Sequence, residues 1–188
     1  MTSKLIVASP DLRAQALYMK LGTYPRFPIY YWWREPEAVE FTTDLVFEPI
    51  AAGDNVMETL ASIDRQVLGY RRDAEHDWLL SDRQGYLVRR NGEVVGYGYE
   101  GQSNGPFALL DPADFPAVLA HAETAAARVE SKPGRGHFGV EIPMVNTTAV
   151  AFLLSRGYRM DRFIAHAMID HSVGQFDRYA LTSPPFFV

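Results

Sequence analysis

Two segments of the chain carry apolar residues at helical spacing. In residues 55–69 the apolar residues lie three or four positions apart, and the segment ends in Gly69. This predicts a helix that stops at the glycine. Asn55, with Glu58 three positions on, predicts its N-cap. A second segment, "DFPAVLAHAETAAARVE", has one apolar face and begins at Asp114, the predicted cap. Both faces are expected to pack on a β-sheet.

Alternating and β-rich runs predict the strands of that sheet. Residues 85–101 form two short runs around Asn91-Gly92, a pair typical of a tight hairpin, and the run at 105–111 is expected to pair beside it. The segments that follow alternate in type: a strand at 137–143, a helix at 146–157 and a strand at 158–170. A last run, interrupted by Pro184 and Pro185, predicts at best an edge strand.

From residue 45 onward these elements follow one another in a mixed order. The order is strand, helix, short helix, three strands, helix, strand, helix and two strands. Such an order predicts an α/β (α+β) layer built on a central mixed sheet flanked by helices.

The start of the chain matches its last predicted helix. "DLRAQALYMKLG" at 11–22 and "NTTAVAFLLSRG" at 146–157 align without a gap, offset by 135 residues. Each follows a strand-like run and precedes a β-rich aromatic run. Short helices that end in glycine are common, so chance similarity is the alternative, but the matched context favours an internal repeat.

An offset of this length is about one small domain. We therefore interpret residues 1–43 as the closing strand–helix–strand of a first copy and residues 44–188 as a complete second copy. A piece of about 40 residues cannot bury enough surface alone. It must pack on the second copy or on another chain, so a homodimer is one expectation.

Composition narrows the function classes. The net charge of −5 argues against general nucleic-acid binding, which needs a basic face on the protein. With no cysteine, disulfides, thiolate metal sites and cysteine nucleophiles are excluded. The five histidines show neither an HExxH pattern nor a pair four residues apart, so no metal site is expected. No apolar run reaches the length of a membrane span, which predicts a cytoplasmic protein without a membrane partner.

The repeated segment resembles a known motif, N-x-x-A-x-x-L-Y-x-x-x-G-F, between a strand and a β-rich run. This is the fourth helix of the GCN5-related N-acetyltransferases. "DLRAQALYMKLGTYPR" keeps the Ala, Leu, Tyr and Gly, and "NTTAVAFLLSRGY" keeps the Asn, Ala, Gly and the aromatic that follows. The order of elements from 45 to 188 is also similar to that fold, so the resemblance covers nearly the whole chain.

The resemblance implies an acetyl-CoA site between the fourth and fifth strands of the sheet, which splay apart in the family. The main chain near Leu109 and Leu110, together with Asn146, would line the CoA side. In the family, a glycine-containing loop Q/R-x-x-G-x-G/A at a helix start holds the pyrophosphate. Here the loop reads "LLDPADFPAV", with no glycine, two prolines and the acidic Asp111 and Asp114.

The same resemblance implies a transfer of acetyl from acetyl-CoA to a primary amine, of a small molecule or a protein, in a ternary complex. Glu141 on its strand would be the general base, unless it points to solvent, and Glu100 is a weaker candidate. The family's acidic tyrosine is Leu153 in the second copy but is present as Tyr18 in the first. The alternative is a non-catalytic, degenerate module that binds a ligand or dimerises. Tandem acetyltransferases with a CoA-binding first copy and a degenerate second copy are the nearest pattern.

Overall fold

A computed structural model describes residues 4–101, 103–128, 137–171 and 174–181. In these residues the chain forms nine strands and five α-helices, in the following order: β1 Leu5–Ala8, α1 Leu12–Lys20, β2 Tyr24–Arg34, β3 Leu45–Pro49, α2 Met57–Val67, α3 Asp73–Asp82, β4 Gln84–Arg90, β5 Glu93–Glu100, β6 Phe107–Leu109, α4 Phe115–Arg128, β7 Phe138–Pro143, α5 Thr147–Ser155, β8 Arg159–Ile169 and β9 Tyr179–Ala180. From residue 45 onward this is the predicted order.

The strands form two sheets that meet at one place. The first has the order β1-β8-β2-β7 and the second β3-β4-β5-β6-β9. Leu181, just after β9, makes an antiparallel bridge to Glu141 in β7. Since β9 is antiparallel to β6 and Leu181 is antiparallel to β7, the strands β6 and β7 run parallel, and the combined layer is mixed as predicted.

Each side of this layer has its own hydrophobic core. Helices α4 and α5 cover one side, where Val118 and Leu153 are fully buried. Helices α2 and α3 cover the other side, where Leu60 and Leu79 are fully buried. No helix in the described part of the chain is long and apolar enough to cross a membrane.

The local turn predictions are confirmed, but two cap predictions are wrong. Asn91 and Gly92 join β4 to β5 with φ of 51° and 87°, as a two-residue hairpin turn requires. Helix α2, however, has Val56 at its N-cap and no side-chain cap, so Asn55 does not cap it. Asp114 does not cap α4 either, because its carboxylate pairs with Arg90 at 2.6 Å.

The amino-terminal strand–helix–strand packs on the same chain. Strand β2 lies between β7 and β8 and pairs antiparallel with both, for example Ile29 with Pro143 and with Ala165. A buried carboxylate adds to this contact: Glu123 of α4 is fully buried and lies 3.3 Å from Nε of Arg34.

The two strand–helix–strand units, β1-α1-β2 and β7-α5-β8, occupy equivalent places in the first sheet. Exchanging them turns the order β1-β8-β2-β7 into β7-β2-β8-β1, which is the same sheet counted from its other edge. Their second strands are central antiparallel neighbours, and their first strands lie outside. The sheet therefore has an approximate two-fold arrangement.

Candidate acetyl-CoA cleft

The cleft between β6 and β7 is filled by the chain itself. Phe107 and Ala108 of β6 pair with Ala180 and Tyr179. On the other side, the Leu181 N–H donates to the carbonyl oxygen of Glu141 at 2.9 Å. Residues 179–181, which we call the closing segment, are fully buried. Phe107 and Ala108 of β6 and the Glu141 carbonyl of β7 are thus paired with the closing segment where they face this cleft.

Of the three residues predicted to line the cofactor, Leu109 and Leu110 bond within the second sheet, and Asn146 uses only its side-chain oxygen. Leu109 is fully buried and pairs with Gly96 of β5. The Leu110 N–H donates to the carbonyl oxygen of Val95 at 2.8 Å, away from the cleft. Asn146 is fully buried at the start of α5, where its Oδ1 accepts from the Ala149 N–H at 3.0 Å. The contact of this oxygen is that of a helix cap. The Nδ2 of Asn146 is buried and has no hydrogen-bond partner among the described residues.

The loop before α4 does not fit a pyrophosphate. Oδ1 of Asp111 accepts from the Ala113 N–H at 2.9 Å, so a carboxylate already takes this donor. Pro112 and Pro116 offer no N–H. Asp114 is buried, with its charge balanced by Arg90. A helix start that binds anions needs free N–H donors and no competing carboxylate. The start of α4 meets neither requirement.

Glu141 is buried rather than exposed to solvent. It is 3% exposed and lies on β7 opposite Tyr31 of β2. Its side chain is on the face of the sheet that α2 and α3 cover. Burial raises the pKa of Tyr31, and the negative charges of Glu141 and Asp161 raise it further. The Tyr31 ring packs over Gly139, where a Cβ would clash with its hydroxyl.

The structure does not bring Tyr18 and Glu141 together. Tyr18 is half-buried on α1, the helix that also places Nε2 of Gln15 at 3.0 Å from Nδ1 of His166 on β8. This is the α5 side of the sheet, since His166 pairs with Pro28, two residues before the core residue Tyr30. Glu141 points to the other side, and β2 lies between β8 and β7. Within one chain the two residues do not share a site.

Sequence reasoning missed a buried polar network behind the closing segment. Arg72 is 2% exposed and holds Asp64 with two hydrogen bonds, at 3.1 and 3.2 Å. Its Nη1 donates to the hydroxyl of Tyr179 at 2.7 Å. His76 lies 2.9 Å from Asp64 through Nε2 and 2.7 Å from the Tyr99 hydroxyl through Nδ1. The network therefore joins α2, α3 and β5 to the closing segment.

Charge is balanced inside this network. Burial alone would raise the pKa of Asp64, but the hydrogen bond with His76, the positive charge of Arg72 and the hydrogen bonds from Arg72 and Tyr97 outweigh it and hold that pKa below its usual value. Burial also raises the pKa of Tyr97 well above the ordinary range, so its hydroxyl stays a donor, to Asp64 at 2.5 Å. The "GYGY" run at 96–99 was the available signal, because alternate residues place both tyrosines on one sheet face.

Glu100 forms a separate polar pair on the other side of the sheet. Burial raises the pKa of its carboxyl to about 7. His121 of α4 lies 3.4 Å away through Nε2, and its own pKa is lowered, mainly by burial. The His121 ring stacks on Phe47 with centroids 3.9 Å apart. Glu141 lies on the opposite side of the sheet, so the two candidate bases are not partners.

A cavity of about 430 Å³ opens at the far end of the first sheet. Its wall is formed by Arg26, Phe27, Val145, Ile169, Gly174, Gln175, Phe176 and Asp177. The Arg26 guanidinium is held there by the carbonyl oxygens of Ile169 and Asp170, at 3.3 and 3.1 Å. None of the sequence-predicted site residues lines this cavity.

Comparison with known proteins identifies the fold. No family model matches the chain, and no characterised protein matches it in sequence. Among solved structures, a proposed acetyltransferase from Pyrococcus horikoshii matches with a TM-score of 0.64 at 17% identity, over 93% of this chain and 57% of its own. A GCN5-related N-acetyltransferase from Sphaerobacter thermophilus matches with 0.58 at 14% identity, over 89% and 59%. One from Anabaena variabilis matches with 0.55 at 14% identity, over 88% and 45%.

These matches agree on one architecture and differ from the chain in extent. The chain spans a little under 60% of the length of the first two structures and less than half of the third. The identities are low, so the likeness concerns the arrangement of helices and strands. The chain has the fold of the GCN5-related N-acetyltransferases.

Proposed function

We propose that the chain is the degenerate copy of a tandem acetyltransferase. The whole protein would transfer an acetyl group from acetyl-CoA to a primary amine. Residues 44–188 are the non-catalytic domain, and residues 1–43 are the closing unit of a first, CoA-binding copy. The observation that carries the proposal is the closing segment, which bonds to β6 and β7 where the cofactor would lie. The acceptor amine belongs to a small molecule or a protein.

Two further features support this proposal. The loop before α4 presents prolines and aspartates where a pyrophosphate needs free N–H donors. The first sheet keeps its strand order when its two strand–helix–strand units are exchanged, as expected for two copies of one unit. In this arrangement the degenerate domain stabilises the unit that carries Tyr18.

Catalysis by this chain itself is the second candidate, because one observation favours it. Glu141 is a buried carboxylate on the strand that borders the cleft, and its negative charge reaches Tyr31. A carboxylate beside the cleft is the type of group that can take a proton from an amine, directly or through water. Tyr18 would then act only from another chain, since its own chain places it on the opposite side of the sheet.

Thermal unfolding with and without acetyl-CoA separates the two candidates. A ligand bound only by the folded chain at 100 times its dissociation constant adds about 2.7 kcal/mol, which raises Tm by several degrees. We expect no change in Tm at about 1 mM acetyl-CoA. A rise in Tm that grows with ligand concentration would contradict the non-catalytic assignment.

An activity assay gives an independent readout. Because the chain has no cysteine, a thiol reagent detects only the CoA released from acetyl-CoA. We expect no release above background with a panel of primary amines. Amine-dependent release that is lost in Glu141→Gln would instead establish the second candidate.

A further inference from the structure

An irregularity in strand β2 places a cation on the wall of the cavity of about 430 Å³. The pairing of β2 with β8 shifts register between Pro25 and Phe27, so Arg26 is the extra residue of a β-bulge. A bulge turns a side chain out of the regular alternation of its strand. Two main-chain carbonyl oxygens at the end of β8 accept from Nε and Nη2 of Arg26, whereas its Nη1 has no hydrogen-bond partner among the described residues. Neutral acceptors thus fix the orientation of the guanidinium without cancelling its charge.

Asp177 supplies the opposite charge on the wall of the same cavity. Its segment is held to the end of α2, because the Gln175 N–H donates to the carbonyl oxygen of Val67 at 2.6 Å and Nε2 of Gln175 donates to that of Gln66 at 2.9 Å. Within the described residues, Asp177 forms no salt bridge, either with Arg26 or with another cation. The cavity therefore carries two opposite charges that do not neutralise each other.

The rest of the cavity wall is mainly apolar. The rings of Phe27 and Phe176 pack with centroids 5.1 Å apart, and Phe176 and Ile169 are buried. Val145 adds an apolar side chain that is partly exposed. Sites for small molecules have volumes of about 300–1,000 Å³ and combine an apolar, often aromatic lining with a few polar groups. This cavity has both properties.

We propose that the cavity binds a small zwitterion with an apolar side chain, the chemistry of an aromatic α-amino acid. The carboxylate of the ligand pairs with Arg26, its ammonium group pairs with Asp177, and its side chain packs on Phe27 and Phe176. A ligand with one charge leaves the opposite charge of the cavity without a partner. The zwitterion is therefore favoured over the corresponding acid or amine.

The inference goes beyond the proposed function and does not depend on it. The cavity shares no residue with the closing segment or with the residues predicted to line the cofactor. Binding of acetyl-CoA would contradict the assignment of the cleft and leave the cavity untouched. A cavity that binds no zwitterion would likewise leave the assignment of the cleft untouched.

Titration of the full chain with L-phenylalanine, followed by the amide signals in NMR, tests the proposal. We expect saturable shifts of the Gly174 and Gln175 amides, and none at Gly92, which does not line the cavity. The related compound 3-phenylpropionate lacks the ammonium group, and phenethylamine lacks the carboxylate, so each should bind about tenfold more weakly. The absence of a saturable shift with L-phenylalanine up to its solubility limit, or equal binding of the three compounds, overturns the proposal.

Two variants assign each charge of the ligand to its partner. Arg26→Gln should weaken L-phenylalanine about tenfold without weakening phenethylamine, which has no carboxylate. Asp177→Asn, at an exposed residue, should weaken L-phenylalanine to a similar extent without weakening 3-phenylpropionate. Arg13→Gln, at an exposed arginine on α1 outside the cavity, is the matched control and should change no affinity. Circular dichroism confirms that each variant remains folded. If a folded variant weakens all three compounds equally, or none of them, the assigned charge pairs do not exist and the proposal fails.

Discussion

The two strand–helix–strand units have the same local shape but very different surroundings. Both helices follow a capping side chain, Asp11 or Asn146, and both end before a glycine with positive φ, 85° at Gly22 and 74° at Gly157. Yet α5 is covered by α4, and its strand β7 by the closing segment, whereas α1 and β1 have no such cover among the described residues. Local sequence thus sets the shape of a unit, and distant segments decide how much of it is buried.

The largest expected effect comes from loosening the cover of β7. Arg72→Ala leaves Asp64 buried without its main counter-charge and removes the donor to the Tyr179 hydroxyl, and should lower the free energy of unfolding by about 3–5 kcal/mol. Urea unfolding followed by circular dichroism measures it. The control is Arg71→Ala, whose guanidinium pairs at the surface with Glu58 and should leave the midpoint nearly unchanged.

Equal stability of the Arg72 variant and the wild type would show that the network does not hold the closing segment. The difference between the two outer strands would then rest on main-chain hydrogen bonds alone.

A smaller effect is expected from truncating the matched helix positions. Leu153→Ala opens a cavity between α5 and α4 and should cost about 3 kcal/mol. Tyr18→Ala, the equivalent change on α1, should cost less than about 1 kcal/mol in dilute protein, because Tyr18 is only half-buried there. Both values come from denaturant unfolding at one low protein concentration. Equal costs would mean that α1 is covered as well as α5 is.

The sequence predicted the features that short segments decide. Asn91-Gly92 imposes a turn that few other pairs adopt, and Gly22 and Gly157 stop their helices by adopting positive φ. The cap assignments of Asn55 and Asp114 were wrong, because more than one polar residue lies near each helix start and sequence does not show which one bonds there. Asp114 shows this, since its carboxylate pairs with Arg90, which is distant in sequence.

The filled cleft was beyond the reach of sequence patterns. The last run, which contains Tyr179 and Ala180, was predicted to be at best an edge strand. Strand β9 does lie at the end of the second sheet, but Leu181 then joins it to β7. The remaining residues of that run, 182–188, lie outside the described part. The buried Arg72 network likewise joins α2 and α3, which are neighbours in the chain, to the distant β5 and closing segment, and no spacing rule connects all four.

The smallest expected effect compares the two helix caps. Asn146→Ala removes the acceptor for the Ala149 N–H in a buried site, so that N–H loses its partner away from water, and the cost should be about 2 kcal/mol. Asp11→Ala removes the acceptor for the Arg13 and Ala14 N–H groups at an exposed site, where water replaces it, so about 0.5–1 kcal/mol is expected.

Variants that keep a capping oxygen provide the control for both sites. Asn146→Asp and Asp11→Asn retain the acceptor, and Asp11→Asn should restore nearly all of the stability lost in Asp11→Ala. Asn146→Asp buries a new charge and should recover less than Asp11→Asn does, because the site is closed to water. Thermal unfolding of all four variants at pH 7 gives the order. Identical losses for the two alanine variants would mean that the cap's local geometry alone sets its strength, and that the cover over α5 adds nothing to it.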